Sequence, residues 1–210
     1  MKIPIFAHIA SAFYLLPAVV GLIRWKNQNR YLKIFTIFCI YSVFHIIAEF
    51  ILGRFGISNQ ELSNIYRLVQ LECIFWLYYH WSQRPVVKQS LKVFAMLYLL
   101  FWITDFALHP FPHEFQESIA TVANFLMLAS SLIIIEHLFR TTHESMYSHS
   151  LFWIGTGIIL YSAGTIVVLS MSNTILKMGI DYFILLWHIN WGFTIIANLF
   201  FTRSFWCKIF

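Results

Sequence analysis

The chain has 210 residues, of which 60% are hydrophobic and only 11% charged, and it carries a net charge of +5. A soluble domain carries roughly 25% charged residues, so this composition excludes an ordinary globular enzyme domain. A membrane span needs about 20 predominantly apolar residues, and in hydrocarbon the backbone must satisfy its own hydrogen bonds, which makes such spans helical.

Seven apolar stretches are predicted as transmembrane helices, at about 4–25, 31–52, 63–81, 91–108, 115–139, 151–172 and 182–205. Runs such as 125–135 do not alternate in polarity, which excludes barrel strands. The first span follows Lys2 and is too long for the apolar core of a signal peptide, so it reads as a retained helix. Pro17 should kink it. The second span places Tyr41, His45 and Glu49 four residues apart, on one face. The third is the most polar, with Arg67, Gln70 and Glu72; Glu72, Trp76 and Tyr79 share a face, while Arg67 and Gln70 point elsewhere.

The fourth span ends near Asp105, and the connection to the fifth holds His109, His113 and Glu114. The fifth carries a polar stripe of Glu117, Thr121, Asn124 and Ser131. Gly155, Gly157, Ser162 and Gly164 give the sixth a small-residue surface suited to close helix packing. The seventh carries a stripe of Trp187, Asn190, Trp191, Thr194 and Asn198, with His188 beside it. The loops are too short to hold a soluble module. The expected architecture is all-α: one polytopic domain over residues 1–210, a seven-transmembrane-helix bundle.

Lysine and arginine set the orientation, because cytoplasmic loops are enriched in them. Ten basic residues fall at the ends that include Arg24, Arg84, Arg140 and Arg203, against four at the opposite ends. The N-terminus is therefore expected outside, the C-terminus in the cytoplasm, and the protein in the cell inner membrane. The positive charge is a topology signal, and no nucleic-acid partner is expected. Cys39, Cys73 and Cys207 are not placed for an extracytoplasmic disulfide.

With this orientation the intramembrane polar residues crowd into the outer half. Ionisable groups in a membrane survive where they pair, face a bundle interior or line a wet cavity. The candidate ligand-binding residues are His45, Glu49, Arg67, Glu72, Glu117, Asn124, His188 and Asn190. The plainer reading is that they only tie helices together by hydrogen bonds and ion pairs.

Known heptahelical chemistries narrow the choice. A microbial rhodopsin needs a lysine within the seventh helix, and here the nearest, Lys177, precedes it. Small three-plus-one-plus-three sugar transporters carry matching prolines in both halves, and Pro17 has no counterpart. Hydrolases of the ceramidase and adiponectin-receptor type hold a metal through histidines and an acid, including a paired HxxxH on the last helix. Here His188 is followed four residues later by Gly192. A zinc site from His45, Glu49, Glu72 and His188 remains as the enzymatic alternative. The stretches 152–172 and 186–205 resemble small heptahelical membrane proteins of Bacteroidota of uncertain function. That resemblance supplies no catalytic residue; spans of this kind sometimes precede histidine kinases, which implies a sensing or partner-binding role.

The expected function is thus a non-enzymatic, cofactor-free membrane protein. It would bind a small molecule, lipid or membrane-protein partner through an outward-facing polar pocket. A metal-dependent lipid hydrolase and an ion- or proton-coupled carrier, with Glu49, Glu72 and Glu117 as proton sites, are the alternatives. The orientation is directly measurable. An alkaline-phosphatase fusion after Phe210 should be inactive and one inserted between His109 and Glu114 active; the reverse pattern overturns the charge argument.

Overall fold

The computed structural model describes residues 4–108, 117–141 and 145–207. Among them the chain forms eight α-helices, two single-turn 3₁₀ segments and no strand: α1 (Ile5–Phe13), α2 (Leu15–Ile23), α3 (Arg30–Arg54), α4 (Gln60–Trp81), α5 (Pro85–Leu108), α6 (Glu117–Thr141), α7 (Ser150–Met178) and α8 (Ile180–Ser204). Taking α1 and α2 as one interrupted helix, six of the helices are long and apolar enough to cross a membrane, and the chain is a multi-pass membrane protein. The exception is α4, which carries Glu61, Arg67 and Glu72.

The first span breaks where proline chemistry requires it. Pro17 has no N–H to donate to the carbonyl four residues earlier, and α1 ends at Phe13, with Tyr14 a turn that keeps helical backbone angles (φ −63°, ψ −25°) before α2. Below the break α2 packs on α3; above it α1 packs on α8. Gln28 locks the lower contact by donating from Nε2 to the Gly21 carbonyl at 2.8 Å and accepting from Thr36 Oγ1 at 2.9 Å.

Two helices run past their apolar cores. Pro85 sits at the first position of α5, where its missing N–H is harmless, so Lys88 and Lys92 lie within the helix and reach over the Tyr79 ring. α7 continues from residue 172 to Met178 through Asn173, Thr174 and Lys177. At 29 residues it is about 43 Å long, more than the ~30 Å hydrocarbon core. Gly179, at φ 140°, makes the sharp reversal into α8.

Neighbour contacts close the bundle into a ring: α2 on α3, α3 on α4, α4 on α6, α6 on α7, α7 on α8, and α8 on α1 and α2. α5 is outside this ring, laid across α4 and α6. Cations and aromatic rings gather at the end of the ring that contains Arg24, Lys33 and Arg203, stacked with Trp206, Trp25 and Trp153 respectively. Arg84 and Arg140 both pair with Glu136 at that end, on the exposed surface where ion pairs contribute at most about 1 kcal/mol.

The glycines of α7 permit its close packing. A Cβ on Gly157 would sit 2.8 Å from Phe201 Cε1, and one on Gly164 would run into the Phe193 ring. Gly192, by contrast, faces open space. Gly157→Leu and Gly164→Leu should each lower stability in detergent by about 1–3 kcal/mol through overpacking, while Gly192→Ala should be neutral or slightly stabilising. Thermal unfolding of the three purified variants checks this, and equal effects would refute the packing argument.

Candidate functional site

The inside of the ring holds a cavity of about 360 Å³ at the end where α3 finishes and α4 begins. Six ring helices contribute: α1, α3, α4, α6, α7 and α8, with Tyr14 from the break between α1 and α2; among the described residues none comes from α5. The cavity is therefore the lumen of the ring.

The inward face of α3 follows from a three-four spacing, Phe35, Phe38, Ser42, His45 and Glu49, which keeps one helix side on the axis. The apolar members lie deep and the polar members line or approach the lumen. His45 is buried, and its ring stacks on Tyr66 with centroids 4.1 Å apart. Its Nε2 stands 3.6 Å from Glu49 Oε1, beyond hydrogen-bond range, and neither ring nitrogen meets hydrogen-bond geometry with a described residue. Glu49 accepts a short hydrogen bond from the Ser63 hydroxyl. Tyr66 in turn donates to Ser42 Oγ at 3.0 Å.

The α4 wall carries Gln60, Ser63, Asn64, Arg67 and Gln70, spaced three or four apart as one helix face. Arg67 donates from Nη1 to Asn64 Oδ1 at 3.2 Å, and the Asn64 carbonyl receives Trp102 Nε1 of α5 at 3.2 Å. Glu49, Tyr66 and Tyr161 of the lumen wall and Tyr98 of α5 lie within electrostatic reach of the guanidinium. On α6, Asn124 donates to its own Ala120 carbonyl at 2.9 Å and accepts from Thr165 of α7 at 3.2 Å. On α8, Asn190 is buried against the lumen, and its Oδ1 has no hydrogen-bond partner among the described residues. Trp187 and Trp191 complete that side.

The structure thus brings His45, Glu49, Arg67, Asn124 and Asn190 to one cavity. It does not bring Glu72 or His188 there. Glu72 is five residues after Arg67, about 140° round the helix, and is half-buried away from the lumen. His188 bonds through Nδ1 to the Ile184 carbonyl at 2.7 Å and stacks on Phe6 of α1 at 5.6 Å. Glu117 opens α6, but its side chain, like His109, His113 and Glu114, is outside the described residues. The four-residue zinc set consequently does not converge, and no group of three or more metal-ligating side chains occurs among the described residues. Sequence reasoning missed Tyr14, Ser63, Asn64, Tyr66 and Tyr161. The spacing of Gln60, Ser63, Asn64 and Arg67 was a readable signal for the α4 face.

The lumen closes below on aromatic rings. Tyr66 leads to Phe38 at 6.1 Å, Phe38 to Phe35 at 6.1 Å, and Phe35 to Phe201 and Phe205 at 5.4 and 5.9 Å. A second cavity of about 430 Å³ lies at the opposite end, beside His80, His137 and His149; Leu71, Ile74, Phe75 and Ile158 are among the buried side chains of the intervening core. Comparisons with protein-family models, curated proteins and solved structures return no match.

Arg67 and Glu49 line one cavity and act on each other electrostatically. Arg67→Met should destabilise the protein in detergent, and Glu49→Gln in the same chain should restore part of the loss. The expected coupling is about 0.5–3 kcal/mol. Strictly additive losses would mean the two charges are solvated independently.

Proposed function

We propose that this chain is a non-enzymatic, heptahelical inner-membrane protein that binds a small polar or amphiphilic ligand in the lumen. It would act as a receptor or as a subunit of a membrane complex. The N-terminus and the mouth of the lumen face the extracytoplasmic side and the C-terminus faces the cytoplasm. α4 serves as the seventh span, its charges turned into the ring.

One observation carries the reading: a polar cavity inside the membrane domain, walled by six ring helices, with buried His45 and Asn190 presenting hydrogen-bonding atoms that no described residue satisfies. Unsatisfied buried polar atoms cost about 1–3 kcal/mol each, and helix-gluing does not account for Asn190 Oδ1, which bonds to no described residue. A carrier finds less support, because below the lumen the open space narrows to about 30 Å³ among Phe38, Met127, Ile158 and Phe201, with Ser42 and Asn198 beside them. The hydrolase finds less support because Glu72 and His188 stand apart from His45.

The two families of readings separate at the histidines. Small molecules and lipids extracted from the purified protein should include a bound species that is lost in His45→Ala and Asn190→Leu and retained in His188→Ala. Zinc at one per chain, lost equally in His45→Ala and His188→Ala, would overturn the proposal in favour of the metal-dependent enzyme.

A further inference from the structure

We propose, building on the reading of the lumen as a ligand pocket, that its ligand is an aminophospholipid that enters sideways from the bilayer, with its ammonium-phosphate headgroup in the lumen and an acyl chain in the groove between α1, α3 and α8.

The groove is a cavity of about 710 Å³ on the side of the bundle. It lies beside the break at Tyr14, with Ser11 and Leu15 from either side of the break in its lining. α1 packs on α8, and the groove lies between α1 and the outer part of α3. The rings of His8 and Phe50 meet edge to face across it, 5.6 Å apart. The walls are apolar, with Leu15, Ile47, Ile51 and Ile180 exposed at the rim. In a bilayer such a surface is covered by acyl chains, since water is absent there.

The groove and the lumen share a wall. Ser11, Ile46, Glu49, Asn59, Trp187 and Trp191 line both. An occupant of the pair must therefore be apolar along one half and polar at the other, with the junction beside Glu49. That is the shape of a lipid whose chain stays in the membrane while its head turns inward.

The lumen's chemistry selects the head. Glu49 is a carboxylate that accepts from Ser63, and an ionised carboxylate has room for further donors. Asn190 Oδ1, nine-tenths buried, is an acceptor with no partner among the described residues, and His45 holds its Nε2 3.6 Å from Glu49 Oε1. Asn190 Oδ1 and the Glu49 carboxylate ask for N–H donors, while a neutral His45 ring offers one acceptor nitrogen and one N–H. Deeper on α4, Arg67 presents a planar guanidinium suited to phosphate oxygens. A primary ammonium next to a phosphate meets both demands and adds no net charge to the cavity. A choline head offers no N–H to Asn190. A glycerol head leaves its phosphate charge uncompensated near Glu49.

The test uses the full chain in detergent, with four probes: lysophosphatidylethanolamine, lysophosphatidylcholine and lysophosphatidylglycerol of one chain length, and chainless glycerophosphoethanolamine. Quenching of tryptophan fluorescence, to which Trp187 and Trp191 contribute, or native mass spectrometry reads binding. The ethanolamine lysolipid should saturate at one per chain and bind about tenfold more tightly than the other two lysolipids. Glycerophosphoethanolamine should bind at least about tenfold more weakly than the ethanolamine lysolipid, since it has no acyl chain to bury in the groove. Glu49→Gln should remove the headgroup preference. Ile47→Trp, at an exposed rim position where the fold should tolerate it, should weaken lysolipid binding and leave the chainless probe unchanged.

Equal binding of all three lysolipids, insensitive to Glu49→Gln, would show a detergent-like annulus and overturn the proposal. Equal affinity for the chainless and lysolipid probes would remove the groove from the account, overturning the lipid while the pocket stands. Saturation by none of the four probes would also overturn it, and the pocket itself would still be judged by whether a co-purifying species is lost in His45→Ala.

Discussion

Helix α4 cannot present its polar face to lipid, and the rest of the fold is arranged around that constraint. An arginine at the centre of a membrane helix costs about 2.5–3.5 kcal/mol on insertion scales, and α4 adds Gln60, Asn64 and Gln70 on the same face. The ring of helices turns that face inward. α5 covers the opposite side, and its Trp102 bonds back to the α4 backbone at Asn64. A helix outside the ring thus makes sense as a shield for the one helix that falls short of the apolarity of a membrane span.

The second determinant is a single missing backbone donor. Pro17 interrupts the first span; both halves pack on α8, and α2 packs on α3 as well. Tyr14, at the break, lines the lumen and faces the Thr194 hydroxyl of α8. On the other side, the glycines of α7 let α8 approach until Phe193 and Phe201 rest against the α7 backbone. Among the described residues the ring is tight between α7 and α8, and the seam between α1 and α3 coincides with the shared wall of lumen and groove.

The sequence made the spans legible because apolar runs mark what lies in hydrocarbon. It misplaced two helix ends for the same reason. Lys88 in α5 and Lys177 in α7 end an apolar run without ending a helix, since charge stops burial in lipid and does not stop hydrogen bonding along the backbone. The candidate site was legible where a face repeats, as with His45 and Glu49 on α3. Spacing separated Arg67 from Glu72 round α4, but it did not show which of two neighbouring faces turns inward. Arg67 and Glu72 are close in sequence and far apart round α4; Asn190 faces the lumen, while His188 packs on Phe6. Polarity alone cannot choose between such neighbours, because the choice depends on which helices pack alongside. The tyrosines were missed because Tyr14, Tyr66 and Tyr161 read as interior aromatics, and only their positions show that the hydroxyl end borders a cavity.

The floor of the lumen bears on what kind of site this is. Below His45 a chain of ring contacts runs from Tyr66 of α4 through Phe38 and Phe35 of α3 to Phe201 and Phe205 at the end of α8. Tyr78, beside this plug, spends its hydroxyl on Ser131 at 2.8 Å rather than on a path through the bundle. Moving a charge through such a layer would require either desolvating it against aromatic rings or parting α3 from α8. Seating a ligand above the layer requires neither. Below the lumen the open space narrows to about 30 Å³, walled by Phe38, Tyr66 and Phe201 together with Ser42 and Asn198, so the lumen is widest towards its mouth and seam, and the binding energy available to a ligand is concentrated in the few residues that also hold α3, α4 and α8 together.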